Sequence, residues 1–325
     1  MKILIDGIGF IGEVHLRILQ KYNLADISIL EKDKSRLQEI VKKYNIKEYF
    51  TDISEIKNKR FDGSIICTPN NLHAEHGKIL SNISYGIMIE KPMTITLTEA
   101  EELLKFFQNK DNKVLIAYCL RFYDPIVKIK EIIENFELGE IFSFKALVSS
   151  RKALTDAKSD YRKNKSVSGS IIHDYSHEID YLQLFMPYNV TEIYCRGFNL
   201  YHDNYDSYDT VDIMMTFNER ISGSIHLDYL QAPFRRTIEL YGNKGTLVWE
   251  DFKDIKLYTD SWGKWITIRV DNDFEKMYYL QLKNFLNCIL KKEDPEVSVE
   301  DGANIIRIID ACTESALKNI KIKLN

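Results

Sequence analysis

Two spacings of apolar residues alternate through residues 1–119. Short unbroken apolar runs have the length of buried parallel strands, and segments with an apolar residue every three or four positions have the spacing of amphipathic helices. This alternation predicts an α/β fold with a parallel, doubly wound sheet. The predicted strands are 2–5, 27–30, 61–67, 86–89 and 114–117, and the predicted helices are 13–21, 35–44, 74–81 and 98–108.

The pattern changes after Tyr118. A helix is predicted at 124–135 and a strand at 141–149, followed by a polar stretch, 151–168, that we interpret as a loop over a binding site. A further helix is predicted within 169–181. Strands then follow with only turns between them, which predicts a largely antiparallel sheet, and two helices end the chain. These strands are 193–198, 209–217, 222–229, 236–242, 245–250, 254–259 and 265–270, and the helices are 274–290 and 299–318.

Three glycines follow the first predicted strand, in the segment Gly7-Ile8-Gly9-Phe10-Ile11-Gly12. In a dinucleotide-binding turn, the first glycine permits the tight turn, the second lets the backbone approach a pyrophosphate, and the third lets helix and strand pack closely. The helix N-terminus would face the phosphates with unsatisfied N–H groups. Glycines in a strand-to-helix turn also occur without a nucleotide, but the flanking strand, helix and second strand all fit dinucleotide binding.

The second strand ends at Glu31, near the spacing expected of an acid that binds the ribose 2′-hydroxyl of NAD. Such a carboxylate repels the 2′-phosphate of NADP, so the sequence predicts NAD as the cofactor, although Lys32 and Lys34 could partly neutralise that phosphate. Asp6 fits this interpretation poorly. It stands just before Gly7, where an apolar residue is usual, and its carboxylate would repel a pyrophosphate unless it pointed away.

Two further strands end in polar turns, at the sheet edge where ligands of this fold bind. The first turn is Thr68-Pro69-Asn70, followed by His73, which is either a site residue or the first residue of a helix. The second is Glu90-Lys91-Pro92. A lysine there could hydrogen-bond a substrate hydroxyl and stabilise a developing alkoxide, or it could be a solvated surface residue. The next helix is predicted to begin with a capping box formed by Thr98 and Glu101.

Residues three or four apart share a helical face, so His173, Asp174 and His177 are predicted to converge. Two histidines and an acid suit zinc or iron, but no fourth ligand is evident nearby, and no metal is expected. A histidine–carboxylate pair for proton transfer is the better functional interpretation. The structural alternative is a capped, partly buried helix start.

Composition excludes several classes of protein. The chain has 325 residues and a net charge of −4, without a long basic run, so nucleic acid is not an expected partner. No apolar stretch approaches the length of a membrane span, and no signal peptide is expected, because the first predicted strand begins at residue 2. The five cysteines lie far apart, which predicts reduced core thiols in a cytoplasmic protein.

Taken together, these motifs resemble the glucose-fructose oxidoreductase, inositol dehydrogenase and MocA (Gfo/Idh/MocA) family over nearly the whole chain. In that family the lysine and the histidine are catalytic, which implies these roles for Lys91 and His177. It also implies that NAD(P) is bound by the glycine turn, Glu31, the Thr68 to His73 turn, Glu90 and Lys91. The matching segments are the glycine turn with His15, Thr68-Pro69-Asn70 with His73, Glu90-Lys91-Pro92, Arg121-Phe122 before Pro125, and Asp174-Tyr175-Ser176-His177-Glu178-Ile179-Asp180.

The chain departs from many members at one position. They place an aspartate four residues before the histidine, where this chain has His173, while Asp174 lies three before; which of the two takes the aspartate's role stays open. A subset with Asp-x-x-His and a preceding Asp-Tyr-Arg, here Asp160-Tyr161-Arg162, looks similar and is often associated with bacterial surface-sugar pathways. The resemblance implies a set of substrate-binding residues, namely Arg121, Tyr161, Arg162, His173 and Tyr229.

The resemblance also implies the domain organisation and the assembly. We expect an NAD-binding Rossmann domain at 1–119, with the terminal helix of about 299–325 as a segment that can pack back on it. We expect an α+β domain at 120–325 with an open, mainly antiparallel sheet, which binds substrate and forms a homodimer or homotetramer.

The expected function is hydride transfer between a nicotinamide and a secondary alcohol or ketone of a sugar, a sugar derivative or a nucleotide-sugar. Two alternatives stay open. An NAD-requiring glycosidase of the same family would release free sugar without net NADH, and a non-catalytic NAD(P)-binding regulator would turn over no sugar. The presence of both Lys91 and His177 argues against the regulator.

Overall fold

The computed structural model describes residues 1–155, 162, 164–201 and 207–324. The chain divides into two compact units. The first comprises Met1–Cys119 and Phe274–Ile306, and the second comprises Leu120–Asp273 and Arg307–Asn325. Each unit is built around its own sheet.

The first unit contains a six-stranded sheet in the order β3-β2-β1-β4-β5-β6. All neighbouring strands are parallel, and the order reverses beside β1, as in a doubly wound Rossmann fold. The prediction of a parallel α/β sheet is therefore confirmed. The strands are β1 (Lys2–Asp6), β2 (Asp26–Leu30), β3 (Glu48–Phe50), β4 (Phe61–Ile66), β5 (Ser84–Ile89) and β6 (Lys113–Ile116).

Helices cover both faces of this sheet. One of them, α10 (Phe274–Ile289), packs on β4, β5 and β6 and also contacts α1, so these two helices lie on one face. A Cβ added at Gly63 would meet Phe285 and Ile289 of α10 and also Ile3 of β1, which places Ile3 on this face. Helix α3 contacts α4 and pairs with Asp6 from the other face. The remaining helices are α1 (Phe10–Lys21), α2 (Lys34–Tyr44), α3 (His73–Leu80) and α4 (Leu97–Gln108).

The capping box of α4 lies two residues earlier than predicted. Thr96 is the N-cap; its side chain accepts a hydrogen bond from Glu99 N, and the Glu99 side chain accepts from Thr96 N. The chain contains two overlapping Thr-x-x-Glu patterns, Thr96 to Glu99 and Thr98 to Glu101. The prediction took the second, but a helix that begins at Leu97 uses the first.

The second unit contains a nine-stranded sheet in the order β14-β13-β12-β11-β7-β10-β9-β8-β15. The pair of β7 and β10 is parallel, and every other neighbouring pair among the described strands is antiparallel, so the predicted open, mainly antiparallel sheet is confirmed. The strands are β7 (Ile141–Ser149), β8 (Val190–Phe198), β9 (Thr210–Phe217), β10 (Ile221–Asp228), β11 (Arg235–Gly242), β12 (Gly245–Glu250), β13 (Ile255–Thr259), β14 (Lys264–Ile268) and β15 (Ile322–Lys323).

One face of this second sheet is buried. Along β9, Val211, Ile213, Met215 and Phe217 are buried, whereas the alternate residues are more exposed, which is the alternation of a half-covered sheet. Helices α8 and α9 contact this sheet. The helices of the second unit are α5 (Asp124–Glu134), α6 (Lys152–Thr155), α7 (Lys165–Ser168), α8 (Ile171–Asp174) and α9 (His177–Phe185). The last helix, α11 (Val299–Lys318), belongs to the first unit as far as Ile306 and to the second unit from Arg307.

All five cysteines lie in the described part of the chain and are buried thiols, with no disulfide between any two of them. Within that same part, no helix has the length and apolarity required to cross a lipid bilayer.

Candidate active site

The three glycines of the turn after β1 each meet a different constraint. Gly7 has φ +87°, a left-handed conformation that favours glycine. A Cβ at Gly12 would lie 2.1 Å from the Gly7 carbonyl oxygen, so no side chain fits there. A Cβ at Gly9 would have nothing within 4 Å, which leaves open space in front of the N-terminus of α1. Gly9 is the N-cap of α1, and because it has no side chain, it cannot cap the N–H groups at the start of this helix.

These features fit a dinucleotide. The first N–H groups of α1 have no intrahelical partner and face the open space beside Gly9, as a pyrophosphate requires. Phe10, the first residue of α1, is 85% exposed. The buried Thr68 hydroxyl, in the turn after β4, has no hydrogen-bond partner among the described residues.

Glu31 lies directly after β2 and is held by backbone N–H groups. Its Oε2 accepts a hydrogen bond from Ile8 N at 2.8 Å, and its Oε1 accepts from Asp33 N at 2.9 Å. The Arg36 guanidinium donates to the Ile8 carbonyl oxygen at 3.1 Å and also binds Glu13. The backbone N–H and the carbonyl of Ile8 are therefore both hydrogen-bonded to side chains that follow β2 in the chain. Arg36 was missed in the sequence, where no motif distinguishes it.

Asp6 points away from α1. Side chains alternate along a strand, so Asp6 faces the opposite side from Ile3 and Ile5, towards α3. Its carboxylate oxygen lies 2.5 Å from His76 Nδ1 of α3. The direction of the side chain and its contact with His76 therefore explain how an aspartate is accommodated immediately before Gly7. His76, like Arg36, was not indicated by the sequence.

His73 connects the two turns at the carboxyl edge of the sheet. Its Nδ1 lies 2.9 Å from the Pro92 carbonyl oxygen and its Nε2 lies 3.0 Å from the Thr68 carbonyl oxygen. Burial lowers the pKa of His73, although both carbonyls favour the charged ring. His73 is both the first residue of α3 and a link between the turns, so the two sequence interpretations describe the same side chain.

Glu90 is buried and also serves as an internal acceptor. Its Oε1 lies 2.8 Å from His15 Nε2, and its Oε2 accepts from Lys91 N at 3.2 Å. Asn70 is buried in the preceding turn, whereas Lys91 is half-buried. The predicted cofactor residues of the first unit therefore gather along one edge of its sheet, at the ends of β1, β2, β4 and β5.

The ligand atoms of His15, Cys67 and Glu90 lie within 4.8 Å of one another, a spacing that could hold a metal ion. A metal needs the thiolate of cysteine, and burial raises the pKa of Cys67 well above its usual value. Two of these three groups, His15 and Glu90, are already engaged with each other by a hydrogen bond.

In the second unit, the helix predicted within 169–181 is divided into two short helices. Helix α8 ends at Asp174 and α9 begins at His177, with Tyr175 and Ser176 between them. The Tyr175 N–H still bonds back to Ile171 O, but Ser176 N reaches His173 O at 3.4 Å, a tighter and weaker turn. His173 and Asp174 therefore lie on a different helix from His177, which is the buried first residue of α9.

Asp174 is bound from two sides. Its Oδ2 accepts from Arg162 Nε at 2.8 Å and from Tyr229 OH at 3.0 Å. The Asp174 charge raises the pKa of Arg162, which keeps the guanidinium ionised. Two predicted substrate residues thus contact Asp174, the carboxylate of the predicted catalytic histidine–carboxylate pair. Tyr161, with Asp160, lies outside the described residues.

Two further carboxylates on α9 are paired with arginines. Arg236 Nε of β11 donates to Glu178 at 2.8 Å, and Arg121 Nε donates to Asp180 at 2.9 Å. Burial lowers the pKa of Arg236, but the Glu178 charge outweighs that effect and the net shift is upward. Arg121, predicted to contact substrate, binds a fully buried carboxylate. The segment that carries His177 is therefore held by arginines from three separate parts of the chain.

His173 has a structural partner. It completes a capping box with Ser170: its Nδ1 accepts a hydrogen bond from Ser170 N at 3.0 Å, at the start of α8. The ring also packs where a Cβ of Gly169 would lie. This arrangement matches the helix-start alternative for His173 and leaves Asp174 as the acid grouped with Arg162 and Tyr229.

Sequence profiles of one family match both halves of the chain. Residues 1–118 match its oxidoreductase domain with an NAD-binding Rossmann fold, and residues 130–324 match its C-terminal alpha/beta domain. The chain belongs to the Gfo/Idh/MocA family of oxidoreductases. It is thus an NAD(P)-dependent oxidoreductase, with NAD as the cofactor that its Rossmann domain binds.

Several characterised proteins resemble this family member over its full length. Myo-inositol 2-dehydrogenase of Thermotoga maritima is 24% identical, with 100% of this chain and 98% of that protein covered. Among solved structures, levoglucosan dehydrogenase in complex with NADH superposes with a TM-score of 0.91 at 19% identity, covering 100% of this chain and 99% of that one. An oxidoreductase from Agrobacterium radiobacter in complex with NAD+, L-tartaric acid and magnesium gives 0.90 at 15% identity, covering 99% and 98%.

Proposed function

We propose that this Gfo/Idh/MocA protein transfers a hydride between NAD and a secondary alcohol or ketone of a sugar, a sugar derivative or a nucleotide-sugar. The observation that carries the proposal is His177 at the start of α9, on a segment held by three arginine–carboxylate pairs. A histidine so fixed suits proton transfer to a substrate oxygen. The names of two relatives, a myo-inositol and a levoglucosan dehydrogenase, support a polyhydroxylated substrate.

The chemistry divides between cofactor and protein. When bound, the nicotinamide supplies or accepts the hydride. His177 takes the proton from the reacting hydroxyl during oxidation and returns it during reduction. Lys91 donates a hydrogen bond to the reacting oxygen and stabilises its developing negative charge. Asp174, positioned by Arg162 and Tyr229, tunes the electrostatics around the histidine.

A screen for turnover tests this function. The protein is incubated with NAD+ and single sugars, inositols or nucleotide-sugars, and formation of NADH is followed by absorbance; the reverse reaction is followed with ketones and NADH. At least one compound should give turnover that disappears in Lys91→Ala and His177→Ala protein. Release of free sugar without net NADH would instead identify a glycosidase, and NADH binding without any turnover would support a regulator.

We predict that NADH binds more tightly than NADPH, by roughly tenfold or more, because Glu31 accepts hydrogen bonds from a ribose hydroxyl and repels a 2′-phosphate. Titration of tryptophan or cofactor fluorescence with both nucleotides measures the two dissociation constants. Glu31→Gln removes the charge and should narrow the difference, mainly by strengthening NADPH binding. Tighter binding of NADPH by the unmodified protein would refute the prediction.

We further propose that the second sheet forms a homo-oligomer, a dimer or a tetramer, through its open face. Large apolar side chains lie on that face, including Met214, which is 58% exposed, and Trp265, which is 52% exposed. A twofold partner would remove them from water. Light scattering at micromolar concentration should give a dimer or tetramer mass, and Met214→Lys should shift the mass towards the monomer. A monomer mass for the unmodified protein would contradict this proposal.

A further inference from the structure

A buried carboxylate ends the strand that leads into the dinucleotide turn. Asp6 is the last residue of β1 and is 2% exposed, and it immediately precedes Gly7. Strands buried on both faces are ordinarily apolar at such positions. A charge here must be compensated, because an unpaired buried carboxylate is strongly unfavourable.

The compensating group is His76. It lies on the second turn of α3, and its Nδ1 is 2.5 Å from Asp6 Oδ2. The ring is itself partly buried, with a side-chain exposure of 17% against 3% for Asp6. Because the ring is partly buried, water screens its charge only weakly and the charge acts on Asp6. The exposed part of the ring can still exchange protons with solvent.

The surrounding charges make the compensation necessary. Among the described residues, Glu31 and His73 act on Asp6, and Glu75 and Lys32 act on His76. Glu31 and Asp6 thus bring two carboxylates to the ends of adjacent strands, at the edge where the cofactor phosphates are expected. Lys32 opposes the charged form of His76, whereas Glu75 favours it.

We propose that His76 is a charge-compensating residue of the dinucleotide site: its imidazolium neutralises Asp6, so that an anionic diphosphate can bind beside this strand end. The pairing would allow the NAD site to tolerate an acidic residue immediately before its first glycine. It rests on dinucleotide binding at the glycine turn and is independent of the substrate.

The net charge of the Asp6–His76 pair depends on pH. Burial lowers the pKa of His76, but the Asp6 hydrogen bond and charge outweigh that effect, and the net shift is upward. Burial raises the pKa of Asp6, more than His76 lowers it. Between the two pKa values the pair is neutral overall. Above the His76 pKa the pair is anionic, so affinity for a diphosphate should fall as pH rises through that value.

Binding titrations across pH test the proposal in unmodified protein. ADP and adenosine share the nucleoside but differ in the diphosphate charge. ADP and NADH should bind several-fold more weakly at alkaline pH than at neutral pH, whereas adenosine should change little. Equal pH dependence for adenosine and ADP, or none for either, would overturn the proposal. A failure to bind NADH at any pH would overturn the dinucleotide site itself, and the inference with it.

Substitutions isolate the charge. His76→Gln keeps a hydrogen-bonding side chain but loses the imidazolium, so NADH should bind roughly fivefold to twentyfold more weakly at neutral pH, without the pH transition. Asp6→Asn combined with His76→Gln removes both charges and should restore affinity near that of the unmodified protein. Unchanged NADH binding in His76→Gln, or no recovery in the double variant, would overturn the proposal.

The matched control is Lys78→Gln. It removes a cation from the same helix, but Lys78 pairs with Glu102 on the surface rather than with Asp6. NADH affinity and its pH dependence should stay within about twofold of the unmodified protein, because exposed charges are screened. An equal loss in Lys78→Gln would assign the effect to the general field of α3 and overturn the role of His76.

Discussion

Replacing His177 by alanine is expected to lower kcat by about 10²–10⁴-fold, the usual contribution of a general acid or base. The reason is that the proposed general acid and base of the reacting hydroxyl is then missing. Cofactor binding should stay nearly unchanged, since His177 belongs to the second unit and the glycine turn to the first. Steady-state kinetics with the substrate found by screening, combined with NADH titration, separates the two effects.

Lys91→Ala should lower kcat by a similar factor of about 10²–10⁴, through loss of charge stabilisation on the reacting oxygen. Lys91→Arg keeps the charge on a larger, planar group and is a useful comparison. A loss of NADH binding with kcat preserved would place Lys91 in the cofactor site instead. Asp174→Asn should reduce kcat less than either substitution, because its contribution is indirect.

His173 is the internal control for the assignment of the histidines. It takes the position of the aspartate in many family members, but its Nδ1 caps α8 through Ser170. His173→Asn should therefore lower the temperature of thermal unfolding measurably, with only a small decrease in kcat. If His173→Asn abolished turnover while His177→Ala left it nearly intact, the two roles would be reversed.

Replacing Arg236 by methionine is expected to lower the free energy of unfolding by about 3–5 kcal/mol. The substitution leaves Glu178 buried without its cation; the two side chains are 10% and 0% exposed. Most of the loss comes from the stranded carboxylate rather than from the missing attraction. Urea denaturation followed by fluorescence measures the change, and catalysis should fail in parallel because α9 loses its anchor.

Two further variants sharpen this test. Arg236→Met combined with Glu178→Gln removes both charges and should recover part of the lost stability. Lys318→Met breaks an exposed i,i+4 pair with Glu314 and should cost about 0.5 kcal/mol or less. If Arg236→Met cost no more than Lys318→Met, the buried pair would contribute nothing to the fold.

Periodicity and turn chemistry were sufficient to predict both sheets and most helices. The glycine turn, Glu31 and the polar turns after β4 and β5 were also predictable, because each follows its strand within a few residues. Very short elements escaped the prediction. Strand β3 has three residues and β15 has two, too few for an apolar period to be recognised.

Partners distant in sequence could not be predicted. Arg236 and Glu178 are 58 residues apart, Arg121 and Asp180 are 59 apart, and Asp6 and His76 are 70 apart. Each pair forms only because the fold brings a particular sheet face or strand end next to a distant residue. Local patterns in a single sequence do not show which residues will meet in this way. The break at Tyr175 and Ser176 was missed for a related reason, since neither residue is a helix breaker such as proline or glycine.

The hydrogen bond between Ile8 N and Glu31 limits how the cofactor preference of such a protein can evolve. A change from NAD to NADP requires loss of the carboxylate that repels the 2′-phosphate, but the same carboxylate holds the peptide between the first two glycines. Replacing Glu31 by alanine would weaken discrimination against NADP and would also remove the hydrogen bond to Ile8 N in the glycine turn. Mutational routes to NADP use would therefore have to pass through a side chain of the same reach that still accepts this hydrogen bond, such as glutamine.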